Sequence, residues 1–144
     1  MDIRLKRFEK EKHIVPTIQA NNKYENMYIT PTISLTLPSN YPFQAPILKI
    51  QSVSHTYYLE RGFRVFKPFI DQYKINTGYN CCLCCSSVVG DKWTPTNGIK
   101  DVIDEYKKYD SVVRTISTAK LVLNNINMDD LINSTILSFI ILLY

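Results

Sequence analysis

NCCLCCSSVVGDKWTPTNGIKDVIDEY, residues 80–106, packs four cysteines into five positions and then reaches the chain's only tryptophan, Trp93. Thr94-Pro95 follows and opens a helical pattern. Ile99, Val102, Ile103 and Tyr106 recur at the i, i+3, i+4, i+7 spacing of one buried face. Thr96 or Asn97 offers an N-cap. Asp101 near the start and Lys107-Lys108 at the end complement the helix dipole. A second helical stretch carries Val112, Ile116, Ala119 and Leu123 on one stripe, and Asn124-Asn125 ends it. Asp129-Asp130 then opens a last helix over residues 131–143.

Working back from the cysteines, residues 55–80 have no clean period and contain Gly62, Pro68 and Gly78. A structureless run of that length is uncommon in a packed domain, so a short strand or helical turn is expected within it. Before it, residues 47–53 read as a strand with Leu48 and Ile50 on one face and Ile47, Lys49, Gln51 and Val53 on the other. Tyr41-Pro42-Phe43-Gln44-Ala45-Pro46 is a turn, because proline cannot donate to a ladder; its aromatics are expected to cap the core edge. Residues 28–37 are the clearest strand, with Ile29, Ile33, Leu35 and Leu37 sharing one parity. Residues 14–19 read as a strand ending in an Asn21-Asn22 turn. Residues 1–13 read as an amphipathic helix with Ile3, Leu5 and Phe8 inward. A helix, antiparallel strands and further helices make an α+β domain.

The chain has 144 residues, 45% of them hydrophobic, with ten tyrosines and a formal net charge of +4. That is one domain with a sizeable core. Residues 1–127 are expected to form the core domain, and 128–144 an apolar helix packed on it. The basic residues are scattered, and only residues 61–67 mix them with aromatics, so no nucleic-acid partner is expected. Residues 1–12 are charged throughout, so no secretory leader is expected. The terminal apolar run at 135–144 is shorter than the ~20 residues of a spanning helix, so no membrane partner is expected. Adjacent cysteines close no useful disulfide loop, which points to a reducing compartment, cytoplasm or nucleus.

The four thiols admit three readings. They are small buried apolar groups, or at least one is a reactive nucleophile, or they contribute to a zinc site. Zinc prefers two separated thiolate pairs; four cysteines within five residues would need His55 or His13 to join them.

The order of these features resembles that of the ubiquitin-conjugating enzyme family. Tyr41, Pro42, Phe43 and Pro46 match the family's Tyr-Pro-Phe-x-Pro-Pro turn. Gly78, Cys82-Leu83 and Trp93-Thr94-Pro95 are similar to its Gly-x-Ile-Cys-Leu and Trp-Ser-Pro segments. The resemblance spans residues 28–106. It departs at His55, which stands where the family has His-Pro-Asn but is followed by Thr56-Tyr57. It departs also in the long segment between His55 and the cysteines, in the missing Gly-Pro and Tyr-x-Gly-Gly signals, and in shorter C-terminal helices. A composition rich in Ile, Asn, Lys and Tyr fits a divergent member from an AT-rich genome, such as that of a protist or a large DNA virus.

The resemblance implies an antiparallel meander packed on helices and a cysteine that carries ubiquitin or a ubiquitin-like modifier as a thioester. An activating enzyme, which the basic run at residues 4–12 would meet, and a ubiquitin ligase are the implied partners. No metal or cofactor is implied. Cys82, which precedes Leu83 as the family's nucleophile does, is the expected nucleophile; Cys85, which has the family's ungapped spacing to Trp93 but lies farther from Gly78, is the alternative. Asn80 is the candidate amide donor to the tetrahedral oxyanion, with Asn76 next. His55, Trp93, Leu83, Pro95, Tyr41 and Pro42 would support the site structurally. An inactive variant that binds ubiquitin or a partner enzyme, and a small zinc-binding adaptor, are the alternatives.

Overall fold

Among the described residues, five strands pair antiparallel in the order in which they occur, and three helices pack with the sheet's buried residues in one core. The computed structural model describes residues 2–14, 19–22, 24–77 and 87–125. Helix α1 (Ile3–Glu11) is started by Asp2, whose carboxylate accepts the Arg4 N–H at 2.9 Å. Leu5 and Phe8 pack on the core as expected. Ile3, in the first turn, is 57% exposed instead of inward.

Strand β1 (Gln19–Asn22) pairs with β2 (Glu25–Thr30) through Asn22 and Glu25, so Asn21-Asn22 belong to the strand and the chain reverses after them. Of the strand read at residues 14–19, residues 15–18 lie outside the described residues. The long strand expected over 28–37 is two strands, β2 and β3 (Ile33–Thr36). Pro31, which has no N–H, and Thr32 form the turn between them, and the Thr30 hydroxyl accepts the Ile33 N–H at 3.2 Å. Strand β4 (Ile47–Ile50) buries Leu48 and Ile50 and exposes Ile47 and Lys49, the alternation read from the sequence. It ends sooner than expected. Gln51 and Ser52, at φ 49° and 70°, reverse the chain into the two-residue strand β5 (Val53–Ser54).

The segment expected to hold only a short strand or helical turn contains an 18-residue helix, α2 (His55–Gln72). Ser54 caps it by accepting the Tyr57 N–H at 3.4 Å. Leu59, Phe63 and Phe69 face inward with helical spacing. Gly62 and Pro68 obscured that period. Gly62 lies where a Cβ would come within 3.1 Å of Val113, so it is a contact point between helices. Pro68 is exposed and forfeits only one backbone bond near the helix end.

The two helical stretches after Trp93 are one 26-residue helix, α3 (Ile99–Asn124). Lys107-Lys108 do not end it, because residues 109–113 contain neither glycine nor proline. Asn124-Asn125 do end it, as expected. Ile99, Val102, Ile103 and Tyr106 are all buried. With Met27, Leu35, Leu37, Leu48 and Ile50 of the sheet side they form the principal core, each fully buried aliphatic side chain contributing about 1.5–3 kcal/mol. A second cluster between the far ends of α2 and α3 holds Phe69, Ile116, Ala119 and Leu123. The molecule is thus an α+β domain, an antiparallel meander packed against helices. No helix among the described residues is long and apolar enough to cross a membrane. The helix expected over 131–143 lies outside the described residues.

Candidate functional site

The Tyr41-Pro42 turn and the Trp93 turn meet at one edge of the principal core. Trp93 is half-buried and its indole Nε1–H donates to the Pro42 carbonyl at 2.9 Å. Its ring tilts at 41° to that of Tyr41, with 6.4 Å between centroids. Tyr41 is buried, as a core-capping aromatic should be. Phe43, two residues on, is 65% exposed and caps nothing. Pro42 is also buried, whereas Pro95 stands exposed in the turn before α3. In that turn the Thr94 hydroxyl donates to the Asn97 side chain at 2.7 Å.

Neither Thr96 nor Asn97 caps α3. Gly98 is the capping residue, and its N–H donates to the Asp101 carboxylate at 2.7 Å. The next free N–H, of Ile99, donates at 3.2 Å to Glu11 of α1. Glu11 is 6% exposed and also accepts from the Tyr41 hydroxyl and from Arg7. Arg7 in turn donates to the Asn97 carbonyl at 3.1 Å. Glu11 comes so close that a Cβ on residue 98 would lie 2.8 Å from its Oε1, so a side chain there would displace the carboxylate. Burial, and the hydrogen bond to Glu11, push the Tyr41 phenol far above its ordinary pKa. One carboxylate therefore joins α1, the Tyr41 turn and the start of α3.

A second carboxylate, Glu105 of α3, does the same for the segment that follows the cysteines. Its Oε1 accepts from the Ser87 hydroxyl at 2.6 Å and from His55 Nε2 at 3.3 Å, and its Oε2 accepts the Val88 N–H at 2.6 Å. A carboxylate acceptor requires that His55 Nε2 carry its proton. Burial alone would raise the pKa of Glu105, but the bonds from His55, Ser87 and Val88 outweigh it and hold the group below the ordinary carboxylate value. From Ser87 the chain advances by turns, Gly90 N–H to Ser87 O at 3.1 Å and Trp93 N–H to Gly90 O at 3.0 Å. Val88 and Val89 rest on the principal core.

His55 is thus a buried residue in the first turn of α2. Cys81, Cys82, Cys84 and Cys85, together with Gly78, Asn80 and Leu83, fall in residues 78–86 and lie outside the described residues. Asn76 is described. It lines an open cleft of about 280 Å³ with Lys108, Ser111 and Thr115 of α3. His13 is exposed in the 3₁₀ turn Lys12–Ile14 that follows α1, and His55 is hydrogen-bonded to Glu105.

The sequence reading missed Glu11 and Glu105. Each had a signal. Glu105 stands three residues from Val102 and four from Tyr109, on the flank of the buried stripe, where no dipole favours an acid. Glu11 lies three residues after Phe8, on the inward side of α1. No family model, no curated protein and no solved structure matches the chain.

Proposed function

We propose that this chain is a divergent ubiquitin-conjugating enzyme. The observation that carries the reading is the bond from the Trp93 indole to the Pro42 carbonyl. Two sequence segments on which the resemblance rests lie 51 positions apart in the chain and meet at this bond. The α1–meander–helix order agrees with it.

In this reading a cysteine thiolate, of Cys82 or Cys85, attacks the carbonyl of a modifier held as a thioester on an activating enzyme. A new S–C bond forms, the old one breaks, and the activating enzyme's thiolate leaves. A substrate lysine amine then attacks the new thioester: the N–C isopeptide bond forms, the S–C bond breaks, and the cysteine leaves as thiolate. The amine, with an ordinary pKa near 10.4, must first lose a proton. An amide donor such as Asn80 would stabilise the tetrahedral oxyanion, and one well-aimed donor is worth about 2.7–4 kcal/mol. The sheltered His55–Glu105 pair serves structure here and supplies no base in this reaction.

The test is a non-reducing gel after incubation with activating enzyme, ATP and ubiquitin. A thiol-sensitive adduct is expected in the wild type and is lost in Cys82→Ala or in Cys85→Ala. No adduct in the wild type, or one that survives both substitutions, overturns the reading. The second reading is an inactive variant that binds ubiquitin or a partner enzyme. It is favoured by α2, a helix of 18 residues that begins at His55, where the family's His-Pro-Asn would stand. That reading predicts ubiquitin binding by titration and no thioester.

A further inference from the structure

The outer stripe of α2 has no task in the core or in the proposed reaction. Tyr57, Arg61, Arg64 and Pro68 follow one another at helical spacing along about 16 Å of one face, with Val65 beside them. All five are exposed, Tyr57 by 51% and Val65 by 60%. A solvated helix face is most stable when built from Ala, Glu, Lys or Gln; Tyr and Val are poorer helix formers and Pro the poorest. Here they lower helix propensity and bury little in return. The cations on the stripe are also uncompensated. Arg61 and Arg64 lie three positions apart, so two like charges are neighbours. Lys67 is paired with Asp71 at 2.8 Å, but neither arginine is in an ion pair among the described residues. Pro68 adds an acceptor. It has no N–H, so the Arg64 carbonyl lacks the donor that a helix normally supplies four residues on.

We propose that the outer stripe of α2 is a docking surface for an acidic peptide segment of a partner protein, one in which carboxylates alternate with aliphatic residues. Each feature of the stripe has its complement there. Carboxylates meet the guanidiniums of Arg61 and Arg64 in two-pronged hydrogen bonds. Aliphatic side chains cover Val65 and the Tyr57 ring, and a peptide N–H reaches the Arg64 carbonyl. A nucleic acid would bring phosphates but no aliphatic groups, and its continuous charge would run on against Glu60 and Asp71, which stand on the same flank of the helix. A membrane surface would need a broader apolar face than one tyrosine, one valine and one proline. This surface does not depend on the conjugating reading, and holds or falls by itself.

The experiment selects a phage-displayed library of random peptides on the immobilised full chain, then titrates the selected peptides, made synthetically, against wild type and variants. The variants are Arg61→Glu with Arg64→Glu, Val65→Ser, and, as a control with the same change of net charge elsewhere on the surface, Lys49→Glu with Lys92→Glu. Circular dichroism checks that each is folded. The selected sequences are expected to be rich in Asp and Glu set beside Leu, Ile or Phe. Their Kd should rise at least about 10-fold on reversal of the two arginines, about threefold in Val65→Ser, and less than about twofold in the control. Selection of peptides without acidic residues, equal binding to wild type and to the reversed pair, or an equal loss in the control would each overturn the proposal. So would tighter binding, through the same arginines, of an oligothymidylate or of phosphatidylserine vesicles, which would assign the stripe to a nucleic acid or to a membrane. If the reversed pair fails to fold, Arg61→Gln with Arg64→Gln carries the same comparisons, with a rise of at least about threefold expected.

Discussion

Glu11 and Glu105 show how a residue of ordinary appearance organises the chain around it. Each is flanked by basic or polar neighbours in the sequence, and each reads as one more solvated charge. Their roles become visible only when the partners arrive from 30, 88 or 50 positions away. Removing one member of a buried, hydrogen-bonded charge pair leaves the others without a partner, at a cost of about 3–5 kcal/mol. Glu11→Ala should lose stability on that scale, since Arg7, Tyr41 and the Ile99 N–H all depend on it. Denaturant unfolding followed by Trp93 fluorescence measures this; a loss below about 1 kcal/mol would refute the central role given to Glu11. Glu105 predicts a pH dependence. Its folded pKa lies below the ordinary 4.5, so its contribution is fully present above 4.5 and is lost as pH falls through the lower folded value. The stability gap between wild type and Glu105→Gln should therefore be constant above about pH 4.5 and narrow as pH falls below it. A gap that widens on acidification would contradict the assignment.

At the scale of elements, turns were harder to read than cores. The buried stripe of α3 and the alternation in β4 follow from apolar spacing alone, and both were legible. The Tyr41–Pro46 turn was legible because proline removes a backbone donor. The two hairpin reversals were not. Thr30-Pro31-Thr32 sits inside an uninterrupted β-like pattern, and Gln51-Ser52 contains none of the glycine or asparagine that marks a two-residue turn. Helix α2 was hidden by Gly62 and Pro68, which act as a packing contact and an exposed late turn instead of as breaks. Of the residues named for the candidate site, Trp93, Tyr41 and Pro42 meet at one edge of the core, while the two carboxylates that tie the neighbouring segments together were not anticipated. The strained hairpin yields a prediction. Gln51 and Ser52 both hold positive φ, which costs a residue with a Cβ roughly 1–2 kcal/mol and glycine little. Ser52→Gly should stabilise the protein by about 0.5–1 kcal/mol, and Gln51→Asn with Ser52→Gly by more. Thermal unfolding should show a rise of about 2–5 °C for the double variant; no rise, or a fall, would mean that the turn is not of this type.

Over the whole molecule the two apolar clusters raise the question of how many units unfold. The principal core holds the sheet, α1 and the near halves of α2 and α3, and it includes Trp93. The buried residues of the second cluster lie between the far halves of α2 and α3, with Tyr73 and Ile75 just after α2 packed against them. Ile70 and Val112 pack against both, and each helix runs unbroken from one cluster to the other. Helix continuity favours coupling, because a helix that frays at one end gives up backbone bonds progressively toward the other. The bridging side chains add direct contact between the clusters. One cooperative transition is therefore expected. Ile116 is 1% exposed at the centre of the second cluster, so Ile116→Ala should cost about 2–4 kcal/mol. Because the clusters are coupled, that cost should move the Trp93 fluorescence midpoint as far as the far-UV circular dichroism midpoint, although Trp93 belongs to the other cluster. If the dichroism midpoint falls while the fluorescence midpoint stays, the far halves of the two helices unfold as a separate unit, and Ile70 and Val112 do not join the clusters energetically.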